Sequence, residues 1–234
     1  MRRIRYRQLC PIAKAAEILG ERWTILIIRE LLVGNSRYSG LQRALSRLSP
    51  TLLTRRLKEL QEYGLVTRGQ VSDRRHAEYV LSPAGRELAP VFSGLGKWGM
   101  KWARGQMRAD ELDVQLLMVE FSRRLDAKRM PQGSVVLEFV IPGLPKFSRW
   151  WIVVEADGSR ELCTHNPGRP VNLTLRLDLH TLAEIWTGDT TALLARKQGR
   201  LRVVGDADLA GTIATWLRPG ALSHIRPAPA PLSV

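Results

Sequence analysis

Residues 49–64, SPTLLTRRLKELQEYG, carry the densest set of side chains able to recognise another molecule. Ser49 and Pro50 are typical of a helix start, because a serine hydroxyl accepts from an unpaired backbone N–H and proline has no N–H to leave unpaired. Three leucines at helical spacing predict a buried stripe, Leu53, Leu57 and Leu60. The exposed face then carries Thr51, Thr54, Arg55 and Lys58. Such a helix suits a DNA major groove; the alternative is a solvated amphipathic helix.

The segments around this helix favour the DNA-binding interpretation. Two periodic segments, 10–20 and 21–33, predict structural helices, and residues 39–46 predict a short helix just before the one at 49–64. Two short helices joined by a tight turn, the second basic on its outer face, form a helix-turn-helix. Ser49 and Arg56 complete the predicted DNA-binding set on this helix, with Arg56 nearer the core edge and assigned to the DNA backbone.

Residues 65–68 and 77–81 predict two strands flanking a polar tip at 69–76. A hairpin following the second helix is typical of the wing of a winged helix. Arg74 and Arg75 in the tip are predicted to contact phosphates or an adjacent minor groove. The alternative is a solvated loop.

Residues 82–102 predict a further helix that begins with Ser82 and Pro83. Its apolar side chains are spaced by three or four: Leu88, Val91, Phe92, Leu95, Trp98 and Trp102. A small domain has too little core to cover them all, so this helix is interpreted as the dimerisation surface of a homodimer. Packing against the chain's own second half is the alternative.

Charge is distributed unevenly along the 234 residues, whose formal net charge is +14. Residues 1–110 hold 21 Lys and Arg against 9 Asp and Glu, whereas residues 111–234 hold 15 against 13. This imbalance favours a polyanion, double-stranded DNA, as the partner of the first half. No apolar run approaches the roughly 18 to 20 residues that span a bilayer, so no membrane partner and a cytoplasmic location are expected.

The second half predicts an α+β domain. Helices are expected at 111–128, 179–186, 190–198 and 207–217, and strands at 134–141, 147–156, 171–177 and 199–206. The predicted fold is therefore two-domain, with a mainly α winged helix at 1–108, an α+β domain at 109–220 and a Pro-rich tail at 221–234, of which residues 226–234 are expected to be disordered.

The stretch CPIAKAAEILGERWTILIIRELLVGNSRYSGLQRAL, with LSPTLLTRRLKELQEYGLVTR and AEYVLSPAGREL, resembles the HxlR-type winged-helix regulators, relatives of the MarR group. The resemblance covers about residues 8–104 and implies a dimeric DNA-binding transcription regulator. In some members the cysteine of the Cys-Pro pair senses oxidants or electrophiles, which makes Cys10 a candidate redox residue. Its basic surroundings would lower a thiol pKa if the side chain were exposed; the alternative is a small buried residue.

The stretch NLTLRLDLHTLAEIWTGDTTALLARKQGRLRVVGDADLAGTIATWL resembles the C-terminal part of the sterol carrier protein type lipid-binding domain. The resemblance implies a sheet with helices over one face and an apolar cavity between them. The residues predicted to line it are Leu182, Ile185, Trp186, Leu193 and Leu194. Each has an ordinary core position as its alternative.

No catalytic, metal-ligating or cofactor-binding pattern emerges, and two cysteines are too few for a disulfide framework. The sequence predicts a sequence-specific regulator, a repressor and not an enzyme, whose operator affinity responds to an apolar ligand in the second domain. One alternative is a purely structural second domain with redox sensing at Cys10; another is a lipid carrier.

Overall fold

The computed structural model describes residues 5–70, 77–107 and 111–229. Contacts between Cα atoms divide the chain into two compact units, Met1–Leu95 and Gly96–Val234. The predicted domain boundary at residue 108 lies outside the described residues. A helical helix-turn-helix region is followed by an α+β region with a mixed sheet, so the predicted two-domain fold class is confirmed.

The first unit is built from helices and one hairpin. Its elements are α1 (Pro11–Leu19), α2 (Thr24–Leu32), α3 (Tyr38–Ala44), α4 (Pro50–Glu62), β1 (Val66–Gln70), β2 (Ala77–Leu81), α5 (Pro83–Arg86) and α6 (Ala89–Trp98). The two strands are antiparallel, with Val66 opposite Leu81. Helix α6 continues past the limit of this unit.

The core of the first unit forms around α4. The predicted leucine stripe is confirmed, since Leu53, Leu57 and Leu60 are no more than 1% exposed. They pack in one cluster with apolar residues of α2 and α3. Each such side chain contributes about 1.5–3 kcal/mol when fully buried, so this stripe fixes which face of α4 is left outside.

A short additional pairing ties the hairpin to the start of α3. Tyr79 N donates to Ser36 O at 2.8 Å, and Arg37 forms an isolated antiparallel bridge with Glu78. A single bridge produces no alternation of apolar and polar residues, so it could not be predicted from the sequence. It joins the wing to the helix-turn-helix within one hydrogen-bonded frame.

The second unit continues from α6 through a π-helical turn (Gly99–Ala103) and a 3-10 turn (Arg104–Gln106). Its further elements are α7 (Val114–Arg124), a 3-10 turn (Ala127–Arg129), β3 (Val135–Val140), β4 (Arg149–Val154), β5 (Arg160–Cys163), β6 (Leu173–Leu177), α8 (Leu179–Thr187), α9 (Ala192–Lys197), β7 (Leu201–Gly205), α10 (Ala207–Gly211) and α11 (Ile213–Trp216). The sheet order is β5-β4-β3-β6-β7, and β3 and β6 are the parallel pair.

A large apolar core lies between the helices and one face of this sheet. Its bulkiest members are at most 1% exposed: Trp150, Trp216, Phe121 and Phe139. The indole N–H of Trp216 donates to Leu209 O at 3.0 Å, and that of Trp150 donates to Phe147 O at 2.8 Å. Both large side chains are therefore buried with their polar atom satisfied.

Three local predictions differ from the structure. Strand β5 was not predicted, because its RELC sequence is mostly polar and too short to show alternation. The predicted helix at 207–217 is divided at Thr212, whose Oγ1 donates at 2.8 Å to Asp208 O, the same carbonyl that accepts from Thr212 N at 3.0 Å. The single helix predicted at 82–102 is divided into α5 and α6 between Arg86 and Ala89, and α6 changes to a π turn at Gly99, since glycine has low helix propensity.

The predicted disorder of residues 226–234 is wrong for the described part, residues 226–229. Ala228 is 7% exposed, and its N–H donates to Lys101 O at 2.7 Å. Six residues before this segment, Gly220 N donates to Trp186 O at 2.8 Å. Backbone hydrogen bonds and burial hold the segment against the rest of the second unit. A prediction from proline-rich composition takes no account of such contacts.

Candidate nucleic-acid interface

Two residues fix the N-terminal end of α4. Ser49 has an extended backbone, and its Oγ accepts a hydrogen bond from Leu52 N at 3.3 Å. Pro50 occupies the first helical turn, where its missing N–H costs nothing. The predicted helix start is confirmed, and the turn before it is set by these two side chains.

Replacing Ser49 by alanine is expected to lower the free energy of unfolding by about 1 kcal/mol, because one N–H of the first turn of α4 loses its acceptor. The measurement is urea denaturation of the full chain. Ser93→Ala, on the exposed part of α6, is the matched control and should change stability little. Equal losses in the two variants would contradict a capping role for Ser49.

Tyr38 fixes α3 against α4, a role that the sequence analysis missed. Its hydroxyl donates to Pro50 O at 2.9 Å and lies 3.2 Å from Thr54 Oγ1. Thr54 Oγ1 itself donates to Pro50 O at 3.0 Å. The hydroxyl of Thr54 is thus tied to its own helix, and Tyr38 sets how the two helices meet. The sequence feature that could have indicated this role is a tyrosine at the first position of a short helix.

The outer face of α4 is basic and hydroxyl-bearing. Thr51, Thr54, Arg55 and Lys58 are all exposed. The Arg55 side chain is 48% exposed, and its Nε lies 3.8 Å from Glu59 Oε1. That separation is long for an ion pair, so the Arg55 guanidinium can leave the Glu59 carboxylate and bind a DNA phosphate or base edge instead. Arg43 and Arg47, which the sequence analysis did not assign, are also exposed just before α4.

Arg56 differs from the other residues predicted to contact DNA. Its side chain is 5% exposed, with guanidinium nitrogens 2.7 Å from Glu21 Oε2 and 2.6 Å from Glu59 Oε2. Its Nε donates to Arg22 O at 3.1 Å. Desolvation lowers the Arg56 pKa, but hydrogen bonds to the two carboxylates outweigh it and the pKa lies above its usual value. The structure thus places Arg56 in the protein's own ion-pair network, which corrects its assignment to the DNA backbone.

Further basic residues lie on wing strand β1 and beside β2, just before α3. Arg68 on β1 is exposed, and the Nε of exposed Arg37 lies 3.6 Å from Glu78 Oε1. The predicted contact residues Arg74 and Arg75 lie outside the described residues. The described part of the hairpin therefore supplies the two strands, and the assignment of the tip stays a prediction.

Helix α6 divides the predicted dimerisation residues between two faces. Leu88 and Phe92 are partly buried and pack against the core of the first unit. Val91, Leu95 and Trp98 are 56%, 48% and 51% exposed. Trp102 lies beyond α6 in the π turn and is partly exposed, with Lys101 Nζ 5.2 Å from its ring centroid. One face of α6 thus holds the helix on its own unit, while the other leaves three large apolar side chains in solvent.

The predicted redox residue Cys10 is partly exposed. It directly precedes α1, where its side chain makes no capping hydrogen bond. The second cysteine, Cys163, is buried. Cys10 is the more accessible of the two thiols.

The five residues predicted to line an apolar cavity do not share one environment. Leu182 and Ile185 are buried in the core of the second unit, and Trp186 packs edge-on against Phe121 with ring centroids 5.6 Å apart. Leu193 and Leu194 on α9 are 44% and 45% exposed. The latter two therefore do not line an interior cavity, because Ala192 and Ala195 take the inward positions of that helix.

Among the described residues, no group of three His, Cys, Asp or Glu side chains is placed to hold a metal ion. No helix in the described part of the chain combines the length and apolarity required to cross a bilayer. The features that remain prominent are the outer face of α4 and the exposed face of α6.

These features define a winged-helix DNA-binding unit followed by an α+β unit, and comparison with known proteins gives the same order of two parts. The HxlR-like helix-turn-helix family model matches residues 18–107, and the SCP-2 sterol transfer family model matches residues 118–218. The HTH-type transcriptional regulator YvaP of Bacillus subtilis is 39% identical over 97 residues, which are 41% of this chain and 90% of that protein. The chain therefore belongs to the HxlR-like helix-turn-helix family of transcriptional regulators.

Two further similarities cover the same share of the chain. The HTH-type transcriptional regulator sll1512 of Synechocystis is 36% identical over 95 residues, covering 40% of this chain and 70% of that protein. The solved structure of the reduced form of the transcriptional regulator YodB from B. subtilis is 29% identical, covers 42% of this chain and 98% of that chain, and gives a TM-score of 0.37.

Proposed function

We propose that this transcriptional regulator binds a specific DNA operator as a homodimer and represses transcription by occupying it. The observation that carries the proposal is the outer face of α4, where Thr51, Arg55 and Lys58 are exposed opposite a fully buried leucine stripe. A helix held this firmly by its inner face can present side chains to base edges without moving. A role in transcription requires access to chromosomal DNA, and we place the protein in the cytoplasm with no catalytic activity of its own.

Each predicted DNA contact has a separate role in this proposal. Arg55 and Lys58, with Thr51, contact base edges and nearby phosphates, and Thr54 supports the packing of α4 on α3 through the Tyr38 hydroxyl, 3.2 Å from its own. Ser49 caps the helix. Arg74 and Arg75 contact the DNA backbone or the minor groove beside the site. Arg56 is left out because its charge is already satisfied by two carboxylates.

Dimerisation is proposed through the exposed face of α6. Val91, Leu95 and Trp98 are spaced by four and three residues, so they form one apolar row on a helix. A two-fold dimer doubles the number of recognition helices and suits a palindromic operator. Solvent exposure of three such side chains in a single chain supports pairing with the same apolar row of a second copy of the chain.

Regulation is proposed to come from an apolar ligand bound by the second unit. The match to the SCP-2 sterol transfer family supports this class of ligand. Such a ligand changes operator affinity only if it binds the DNA-competent state and the other state with different affinities. A saturating ligand that leaves operator affinity unchanged would contradict this part. The second candidate is redox control at Cys10, which its partial exposure favours.

The proposed function is tested with Arg55→Ala and Arg74→Ala on the duplex upstream of the protein's own gene and on a scrambled duplex. We expect Arg55→Ala to reduce the preference for the upstream duplex by about tenfold, because it removes roughly 1–3 kcal/mol of base discrimination. Arg74→Ala should weaken both duplexes alike and reduce the salt slope by about one unit. Affinities are measured by fluorescence anisotropy across a salt series.

Equal losses on both duplexes for both variants would contradict this division of roles. If the wild-type protein binds both duplexes equally, and only weakly at physiological salt, the upstream duplex is not its operator. The binding would then come from non-specific attraction of a basic surface to DNA.

A further inference from the structure

Residues 219–229, called the strap here, lie along the C-terminal end of α8 in the second unit. Gly220 N donates to Trp186 O at 2.8 Å. A Cβ on Gly220 would lie 2.8 Å from Trp186 Cε2, so any side chain at this position would push the strap and the helix apart. Further along the strap, an Arg226 nitrogen donates at 3.3 Å to the carbonyl of Gly188, the residue that follows α8. The strap is therefore in contact with the end of α8 at two positions.

The strap also lies against residues 96–106, called the linker here, which contain the end of α6, the π turn and the 3-10 turn. Ala228 N donates to Lys101 O at 2.7 Å, and Ala228 is 7% exposed. At the start of the linker, a Cβ on Gly96 would lie 2.8 Å from Leu222 Cδ1. One short segment is thus packed on both the linker and α8, all within the second unit.

A single ion pair is the direct connection between the linker and the turn after α8. Arg104, 9% exposed, pairs with Asp189, whose Oδ2 also accepts from Thr187 Oγ1 at 2.7 Å. Arg104 Nη1 is buried and has no hydrogen-bond partner within the described part of the chain. An unsatisfied buried N–H is costly, so this pair alone is an incomplete attachment of the linker.

The strap brings a second cation to this pair. Desolvation, followed by the positive charge of Arg226, lowers the pKa of Arg104 below its usual value. Two arginines therefore repel each other where one carboxylate, that of Asp189, is available to both. The strap is held in place against this repulsion by its packing and its backbone hydrogen bonds to Trp186 and Lys101. Loss of either set of contacts should favour its release.

We propose that the strap couples α8 to the linker, so that displacing it at α8 loosens the linker and displacing it at the linker loosens the end of α8. Because one segment makes both sets of contacts, the two effects share one coupling free energy and must be reciprocal. The linker continues α6, and the strap therefore gives a change at α8 a physical route to the helix proposed to form the dimer. That consequence for DNA binding rests on the proposed function; the coupling within the second unit does not.

The test is hydrogen–deuterium exchange, followed by mass spectrometry, on the full chain without DNA. Gly220→Ala displaces the strap at its contact with Trp186. Peptides covering residues 99–107 are nevertheless expected to exchange at least about tenfold faster, because the linker loses the strap as well. Gly211→Ala is the matched control, since a Cβ at Gly211 has no atom within 4 Å. It should change exchange in the same peptides by less than about twofold.

The reciprocal variant is Ala228→Lys, which places a charge at a buried position bonded to Lys101. Burial of an unpaired charge near other cations is unfavourable, so the end of the strap should leave the linker. Peptides covering residues 182–190 are then expected to exchange about tenfold faster. Ala221→Lys makes the same substitution at an exposed position of the strap and is the matched control.

Effects confined to the altered side would overturn the proposal: faster exchange only at 182–190 in Gly220→Ala and only at 99–107 in Ala228→Lys. The pair of Arg104 with Asp189 would then be sufficient to hold the linker. Equal acceleration in β3 and β4 would also overturn it, because the variants would be acting on the stability of the whole unit.

These exchange measurements use neither operator nor ligand, so the strap can fail while the proposed regulator stands. Operator affinity of Ala228→Lys, measured by fluorescence anisotropy on the upstream duplex, tests the route to α6 separately. Coupled exchange together with an operator affinity equal to that of Ala221→Lys would contradict the consequence for DNA binding and leave the strap itself supported.

Discussion

Leu95→Glu is expected to convert the proposed homodimer into a monomer and to lower operator affinity on the order of 100-fold. Leu95 is the middle residue of the exposed row on α6, and it is 48% exposed in the single chain. Two glutamates facing each other across a two-fold interface would be brought together out of water, which is unfavourable for both charges. Loss of the dimer then removes the second recognition helix from the operator.

Two measurements check this result: sedimentation velocity for the oligomeric state, and anisotropy titrations on the upstream duplex for affinity. Ser93→Glu places the same charge on the same helix at an exposed position outside the apolar row. It should leave both the dimer and operator binding nearly unchanged. A Leu95→Glu protein that sediments as a dimer would exclude this face of α6 as the interface.

Arg56→Leu is expected to lower the free energy of unfolding by about 2 kcal/mol. Its guanidinium makes 2.7 and 2.6 Å contacts with Glu21 and Glu59, and removing it deprives Glu21 of this partner and leaves Glu59 with its 3.8 Å contact to Arg55 Nε. Breaking a fully buried pair costs about 3–5 kcal/mol. The lower figure applies because the glutamate side chains are 24% and 29% exposed and recover part of their hydration.

Urea denaturation measures this loss, with Arg55→Leu on the exposed face of α4 as the matched control. The control should change the free energy of unfolding by less than about 0.5 kcal/mol. Arg56→Lys should be intermediate, because an ammonium group keeps the charge but cannot bridge two carboxylates with the same geometry. Similar stability of the Leu variants at 55 and 56 would contradict a structural role for Arg56.

The predictable part of the DNA-binding unit is local in sequence. The start of α4, its leucine stripe and its exposed basic face follow from one cap and a helical period within residues 49–64. The position of Arg56 was also in that pattern, since residue 56 is three after Leu53 and four before Leu60 and so falls on the buried side. The helical pattern gave no information about Glu21, which lies 35 residues before Arg56. Its carboxylate pairs with the Arg56 guanidinium and so offsets the cost of burying that charge.

The unpredicted features depend on neighbours distant in the chain. The orientation of α9 is one example: two alanines face the core, and the leucines between them remain outside, contrary to a simple ranking by hydrophobicity. The packed segment at 226–229 is another, because its proline-rich composition is typical of disorder, whereas the backbone N–H of Ala228 donates to Lys101 O. Strand β5 exists because β4 provides a partner, with Trp151 opposite Cys163.

The second unit is closed by its first helix and its last residues. Asp126 N donates to Trp216 O at 2.9 Å, and Arg124 bonds to Pro219 O across 95 residues of chain. On a ribosome, the first unit is completely synthesised at residue 95, whereas these closing bonds wait for residue 219. At about 5–20 residues per second, the interval is roughly 6 to 25 s. Each newly made chain therefore has time to fold its DNA-binding unit before the second unit, which is proposed to bind the regulating ligand, is complete. A newly made molecule can respond to that ligand only after this interval.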